Sequence, residues 1–136
     1  MPKTYTISCH CGKVRAEAVA DLSAGTFRCN CTFCAKTRNW NAGVQLGSLK
    51  LNCDEADVGD YFKEWPGGNV HHRFCKACGA HVYGHGHLPM IGGDFVGLRI
   101  AAIDNITPAG LAELPIVYQN GRDDDWMNAP KVTSYL

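Results

Sequence analysis

The chain has 136 residues, of which 46% are hydrophobic, and its 13 basic and 13 acidic side chains give a formal net charge of 0. A chain of this size buries roughly two-thirds of its unfolded surface on folding, so it needs no disulfides for stability. The balanced charge leaves no basic surface for nucleic acid and no acidic tail. We therefore expect a folded protein that does not bind nucleic acid.

The sequence also lacks the signals of a membrane or secreted protein. No stretch approaches the roughly 18 apolar residues of a membrane span, and the first residues lack the apolar core of a secretory signal. No linker, repeat or shift in composition divides the chain. We expect one domain over residues 1–136, located in the cytoplasm and away from membranes, and the sequence predicts no particular oligomeric state.

Short alternating segments predict the secondary structure along most of the chain. The clearest runs from Lys13 to Val19, where Val14, Ala16 and Ala18 face one way and the charged residues the other, as in a half-buried strand. Ten such segments are residues 5–8, 13–19, 27–29, 44–46, 48–51, 60–65, 70–74, 80–83, 95–103 and 116–118. Together they predict an all-β fold of packed antiparallel sheets.

Helical signals are scarce. The sequence predicts a turn of helix after Cys31. Thr107 as N-cap, with Pro108 at the first helical position, predicts a second short helix through Leu114. Neither helix is expected to exceed a few turns.

Seven of the eight cysteines fall into three motifs, and the eighth, Cys53, stands alone. The motifs are Cys9-x-Cys11, Cys29-x-Cys31-x-x-Cys34 and Cys75-x-x-Cys78. Cytosolic thiols stay reduced, so this spacing favours metal binding over disulfides. Tetrahedral zinc places its sulfur ligands only about 4 Å apart, a separation that cysteines in such short motifs achieve.

The seven clustered cysteines divide most simply into a set of four and a set of three. Four ligands close a structural zinc site, whereas three leave a position for an exogenous ligand. Cys29, Cys31 and Cys34 are able to bind one metal locally, while the two outer pairs have to be joined by the fold. We therefore expect two Zn²⁺ ions, one structural and one at an open site.

Basic residues surround the three motifs. Within four residues of a clustered cysteine the sequence has no Asp or Glu, but it has Lys13, Arg15, Arg28, Lys36, Arg38, Arg73 and Lys76. Such cations lower thiol pKa values and favour an anionic ligand. They also neutralise structural thiolates, and the two interpretations carry equal weight.

The three motifs, in this order, resemble those of the glutathione-dependent formaldehyde-activating enzymes, a family that also contains centromere protein V. The resemblance is carried by Cys-His-Cys-Gly-Lys-Val-Arg at residues 9–15, Cys-Asn-Cys-Thr-Phe-Cys-Ala-Lys at 29–36 and Arg-Phe-Cys-Lys-Ala-Cys-Gly at 73–79. Weaker similarity follows at residues 96–104 and 116–126. The chain departs from the family pattern at Asn30, where the family usually has His, and in the Gly- and His-rich residues 84–93.

The resemblance implies a β fold with a structural zinc on the outer motifs and a second zinc on the central motif, where glutathione acts. The implied structural ligands are Cys9, Cys11, Cys75 and Cys78, and those of the second zinc are Cys29, Cys31 and Cys34. This assignment agrees with the partition obtained from ligand counting.

The predicted activity is that of a carbon–sulfur lyase, which joins a thiol such as glutathione to formaldehyde or a related small electrophile. Cys29, Cys31 and Cys34 are the candidate catalytic residues. Arg28, Lys36 and Arg38 are the candidates for binding the glutathione carboxylates. The alternative is a non-catalytic zinc-binding interaction module, which is favoured by the lack of an evident general acid or base.

Several other residues invite a functional or a structural interpretation. Candidates for an acid or orienting role are His71, His72 and His81, although a packing role is more common for histidine. In an extended segment, one face would be shared by His81, Tyr83, His85 and His87. Structural roles are expected for Phe33 and Trp40 in the core, Cys53 as a free, partly buried thiol and Asp123, Asp124 and Asp125 in a solvated turn.

Overall fold

The computed structural model describes residues 1–136 and consists mainly of short strands. The strands are β1 (Lys3–Ser8), β2 (Arg15–Ala20), β3 (Thr26–Cys29), β4 (Trp40–Gly43), β5 (Lys50–Leu51), β6 (Val58–Trp65), β7 (Gly68–Cys75), β8 (His81–Leu88), β9 (Gly93–Arg99) and β10 (Ile116–Gln119). The helices are α1 (Thr32–Thr37) and α2 (Pro108–Ala112), with 3₁₀ turns at Leu22–Ala24, Glu55–Asp57, Pro89–Ile91, Ile100–Ala102 and Gly121–Asp123. The all-β prediction is confirmed.

The strands form two sheets. A three-stranded antiparallel sheet has the order β1-β2-β5, and a seven-stranded sheet has the order β10-β3-β4-β9-β8-β7-β6. The large sheet is antiparallel except at one edge, where β10 pairs with β3 in parallel. Two parallel strands cannot be connected by a tight turn, and β10 is indeed separated from β3 by most of the chain.

One shared core of 18 buried residues lies between the two sheets. On β2 the predicted alternation is confirmed, because Ala16, Ala18 and Ala20 are buried while Arg15 is exposed. These small side chains allow the sheets to approach, and Leu98 of β9 is fully buried on the facing side. The apolar face of each sheet is therefore covered by the other.

A β-bulge in the β7–β8 hairpin corrects one prediction. The register shifts between Arg73, which pairs with Tyr83, and Phe74, which pairs with His81, so Val82 is the extra residue. Both Val82 and Tyr83 are buried, and His81 is turned to the opposite face. The predicted shared face therefore holds for Tyr83, His85 and His87 but is wrong for His81, because a bulge interrupts the alternation of a strand.

Other boundaries also differ from the sequence prediction. Residues 44–46 form no strand, since β4 ends at Gly43, although the amide of Val44 still donates to the carbonyl of Val96. The strand predicted over 95–103 ends at Arg99, where a 3₁₀ turn begins. Both short helices are present, and Thr107 caps α2 by accepting a hydrogen bond from the amide of Gly110, but α2 ends at Ala112 rather than at Leu114. None of the helices has the length and apolar composition required to cross a membrane.

Candidate metal centres and the adjoining pocket

The fold brings the two outer cysteine pairs together. Cys9 and Cys11 follow β1, Cys75 ends β7, and Cys78 lies in the turn before β8. The sulfurs of all four lie within 4.8 Å of one another, with 3.7 Å between Cys9 and Cys11 and 3.6 Å between Cys11 and Cys75. These separations fit the sulfur spacing of a tetrahedral metal, so this four-cysteine cluster is able to hold one ion.

Each pair is presented by a tight turn of similar construction. In the first turn the amide of Val14 donates to the Cys9 sulfur at 3.3 Å, and in the second the amide of Cys78 donates to the Cys75 sulfur at 3.5 Å. Gly12 and Gly79 have φ of 82° and 78°, a conformation that other residues rarely adopt. Each turn therefore requires glycine at this position, because only with this backbone conformation do the amides donate to the cysteine sulfurs.

The central motif forms a second cluster at the junction of β3 and α1. Cys29 ends β3, Cys31 is the N-cap of α1, and Cys34 lies within the helix, so that the three sulfurs are within 4.8 Å of one another. The amide of Cys34 donates to the Cys31 sulfur, and the Asn39 side chain donates to the Cys34 sulfur, each at 3.4 Å. This three-cysteine cluster therefore offers three ligands and no fourth.

Hydrogen bonds distribute the charge unevenly over these three sulfurs. Donation from the Cys29 and Cys34 thiols lowers the pKa of Cys31 to about 2. The pKa of Cys34 is raised, first by its contact with Cys29, then by its contact with Cys31 and by burial. The cluster thus stabilises a thiolate at Cys31 and is a site of negative charge that a cation would neutralise.

Asn30 does not face this cluster as a ligand. It is buried, its side-chain amide donates to Asn120 at 2.8 Å, and its side-chain oxygen accepts from the amide of Arg122 at 3.0 Å. The residue therefore ties the cysteine motif to the segment after β10. In that segment Gly121 is so close that a Cβ there would lie 2.6 Å from the Cys29 sulfur.

An aromatic wall adjoins the three-cysteine cluster. Phe33 of α1 stacks on His72 of β7 with ring centroids 3.8 Å apart, and on Tyr61 of β6 at 5.7 Å. His81 meets Phe33 edge-on at 5.9 Å. Burial, followed by the charge of Arg99, lowers the pKa of His72 to about 4, so this imidazole is neutral at pH 7.

Arg99 was not among the candidate site residues. Only 7% of its surface is exposed, and its guanidinium lies 5.8 Å from the Phe33 ring and 3.5 Å from Nδ1 of His72. No carboxylate pairs with it, and burial lowers its pKa to about 10. The signal in the sequence was a single arginine within the apolar residues 96–103. An arginine side chain is rarely buried without a partner, so such a residue is a candidate for a functional role.

The three predicted glutathione-binding cations occupy different settings. Arg28 and Arg38 line a small recess with Cys29 and Cys34, and Arg28 also lies over the Trp40 ring at 4.6 Å. Arg38 donates to the carbonyl of Tyr135, which uses part of its guanidinium. Lys36 is exposed in the last turn of α1 and makes no ion pair.

The remaining sequence candidates mostly serve the fold. His71 lies on the face of β7 opposite His72 and is therefore turned away from the three-cysteine cluster. Trp40 packs on the core and donates to the Thr26 hydroxyl at 2.8 Å. Cys53 is a free, partly buried thiol, as predicted. The run 123–125 forms a turn in which Asp123 and Asp125 accept from Asn120 and Asn128.

The fold defines a β protein with two separate cysteine clusters, each able to hold a metal ion. The sequence model of the glutathione-dependent formaldehyde-activating enzymes matches residues 4–118, and the chain belongs to that family. Its fold is similar to that of a Rhodobacter sphaeroides protein solved by crystallography in a structural-genomics programme, with 25% identity and a TM-score of 0.65. That match covers 82% of this chain and 99% of the other.

Proposed function

We propose that this protein is a zinc-dependent carbon–sulfur lyase that joins glutathione, or a similar small thiol, to formaldehyde or a related electrophile. One observation carries the proposal: three clustered sulfurs, one ligand short of a closed site, lie beside a buried arginine that has no carboxylate partner. Family membership supports the glutathione and formaldehyde chemistry.

The donor sets of both clusters suit zinc. Thiolates are soft ligands, and four of them at tetrahedral spacing are typical of a structural site, so Cys9, Cys11, Cys75 and Cys78 would hold that ion. Cys29, Cys31 and Cys34 would hold the second. When bound there, zinc supplies an open coordination position and lowers the pKa of a thiol that occupies it.

The reaction balances without an oxidant or a further reactant. The glutathione sulfur, having lost its proton, attacks the formaldehyde carbon and forms a carbon–sulfur bond. The carbonyl π electrons move to oxygen, which takes up a proton equivalent to the one that sulfur lost. The product is S-hydroxymethylglutathione, and the reverse reaction is the lyase direction.

The residues around the cluster are suited to hold the substrate. Arg99, Arg28 and Arg38 place positive charge beside the sulfurs, where the glutathione carboxylates would find partners, and Lys36 adds an exposed charge. Phe33 supplies an apolar wall that excludes water. His72 is neutral at pH 7 and is therefore suited to orient the product hydroxyl rather than to act as a charged acid.

A non-catalytic zinc-binding module is the second candidate. It is favoured by one observation, namely that burial lowers the pKa values of both His72 and His81 and leaves no charged acid at the cluster. Both candidates require reduced cysteines, so we infer that the protein acts in a reducing compartment such as the cytoplasm. We also infer that residues 1–136 act as one domain. Small molecules rather than nucleic acid are the expected partners.

Calorimetry with glutathione and with its S-methyl analogue tests the proposal. The zinc-loaded protein should bind glutathione but not the analogue, because the analogue has no thiol for zinc to ionise. The analogue keeps both carboxylates, so the comparison isolates the role of the sulfur. Cys34→Ser should abolish binding, whereas Cys53→Ser, which alters a thiol outside both clusters, should not. Equal binding of both compounds would contradict coordination of the sulfur.

The rate of adduct formation separates the enzyme from the module. NMR detection of S-hydroxymethylglutathione should show formation above the uncatalysed rate, and this acceleration should vanish in Cys34→Ser. Binding of glutathione without acceleration would favour the non-catalytic module.

A further inference from the structure

A second cleft lies on the other face of the seven-stranded sheet, away from the three-cysteine cluster. Its volume is about 620 Å³, and it is lined by polar side chains of β7 and β8 together with Leu46 and Leu49. Because adjacent residues of a strand face opposite ways, His71 points into this cleft while His72 packs against Phe33. The proposed lyase chemistry makes no use of it.

Histidines are concentrated around this cleft. Of the six histidines in the chain, His71, His85 and His87 line it together. His71 and His85 are directly opposite each other across β7 and β8, and their rings stack with centroids 4.6 Å apart and 14° between planes. Side chains directly opposite each other in this way have Cβ atoms about 4.5–5.5 Å apart, so these two rings are direct neighbours on the cleft face.

Two of these rings have one nitrogen held by a carboxylate. Nδ1 of His71 lies 2.9 Å from Asp60, and Nδ1 of His87 lies 2.8 Å from Asp94. A carboxylate that accepts from Nδ1 fixes the tautomer in which Nε2 carries a lone pair. This is the arrangement that supports metal-binding histidines, since it orients the ring and raises its basicity.

The third histidine, His85, is held by stacking on His71 and Tyr83 and forms no hydrogen bond. Neither ring nitrogen of His85 is taken up by a partner in the fold, so the neutral ring has one lone pair free for a ligand.

The charges around the cleft favour a cation over an anion. Two carboxylates, from Glu55 and Asp94, line the cleft with the single guanidinium of Arg73, and Asp60 lies behind them against His71. That guanidinium is already directed to Asp60 at 3.9 Å. Without counting the histidines, the charged side chains that line the cleft sum to 1 − 2 = −1, which disfavours an anion.

We propose that the neighbouring rings of His71 and His85 bind a divalent cation of the late first transition series, separate from both cysteine clusters, with His87 lining the same cleft. Imidazole nitrogens suit zinc, nickel and copper, whereas calcium and magnesium prefer oxygen. Two imidazoles make a more open site than four thiolates, and water would complete the shell. We therefore expect weaker, exchangeable binding here than at the cysteines.

Nickel titration of the zinc-loaded protein tests this site. Calorimetry should show binding of Ni²⁺ while the cysteine-bound zinc stays in place, and paramagnetic broadening should be centred on the ring signals of His71 and His85. His85→Asn should weaken binding by at least about tenfold. This ring has no hydrogen bond in the fold, so the substitution is expected to leave zinc content and melting temperature unchanged.

His72→Asn is the matched control, because this residue lies on the same strand and faces away from the cleft. It should leave nickel binding intact. Nickel binding that survives both His71→Asn and His85→Asn would overturn the proposal. Absence of nickel binding, combined with phosphate binding that depends on Arg73, would overturn it in favour of an anion site.

Discussion

Single side chains around the three-cysteine cluster show how position, rather than residue type, assigns a role. Asn30 sits between two candidate ligands in sequence, yet its side chain is fully used by Asn120 and Arg122. Arg99 lies far from every cysteine in sequence, yet the fold buries it beside Phe33. A residue that binds and a residue that supports the binding site are therefore distinguished only by the direction of the side chain.

Gly121 provides a test at the residue scale. In Gly121→Ala the new Cβ would meet the Cys29 sulfur at 2.6 Å and the Trp126 ring at 2.4 Å, so something has to move. We expect at least about tenfold weaker zinc binding at the three-cysteine cluster, with the four-cysteine site intact. Zinc stoichiometry under competition with a chelator measures this.

The control for that variant is Gly43→Ala, because a Cβ at position 43 meets nothing within 4 Å. Gly43→Ala should retain both zinc ions. Full zinc content in Gly121→Ala under the same competition would show that the cluster tolerates displacement of Cys29.

At the scale of elements, the two clusters differ in how many parts of the chain they join. The three-cysteine cluster is contained in the junction of β3 and α1. The four-cysteine cluster connects the turn after β1 with the turn between β7 and β8, and these belong to different sheets. Loss of the four-cysteine cluster therefore removes a link between distant parts of the chain, while loss of the three-cysteine cluster removes only a local one.

Two serine substitutions compare these links. Cys78→Ser should lower the free energy of unfolding by roughly 3 kcal/mol or more, because a closed zinc site contributes directly to folding. Cys34→Ser should cost about 1 kcal/mol or less, because the local junction keeps its hydrogen bonds. Urea denaturation of both variants, beside Cys53→Ser, gives the comparison. Equal large losses would contradict the division into a structural and an open site.

At the scale of the whole molecule, the seven-stranded sheet separates two chemical environments. One face carries the three-cysteine cluster, Arg99 and the aromatic wall, and the other carries the histidine-lined cleft as well as the apolar side that meets the small sheet. The bulge at Val82 permits this division, because it sends His81 and Tyr83 to opposite faces. A ligand bound at the three-cysteine cluster therefore leaves the histidine-lined cleft accessible, and a ligand in the cleft leaves the cluster accessible.

Metal removal tests the connection between the sheets. Chelation should increase amide hydrogen exchange first at the end of β1 and in the β7–β8 turn, because both would lose the ion proposed to join them. Protection in α2, which contacts neither cluster, should fall only with global unfolding. Mass spectrometry of exchange in zinc-loaded and chelated protein provides the measurement. A uniform loss of protection would contradict a localised link and indicate unfolding as one unit.

The sequence by itself determined the features that depend on local spacing. The alternation at residues 13–19 predicted β2, the cap at Thr107 predicted α2, and the cysteine motifs predicted both clusters and their division. Tertiary structure decided the parallel pairing of β10 with β3, the bulge at Val82 and the burial of Arg99. Short motifs carry their geometry within a few residues, whereas strand register and the partners of a side chain depend on residues far along the chain.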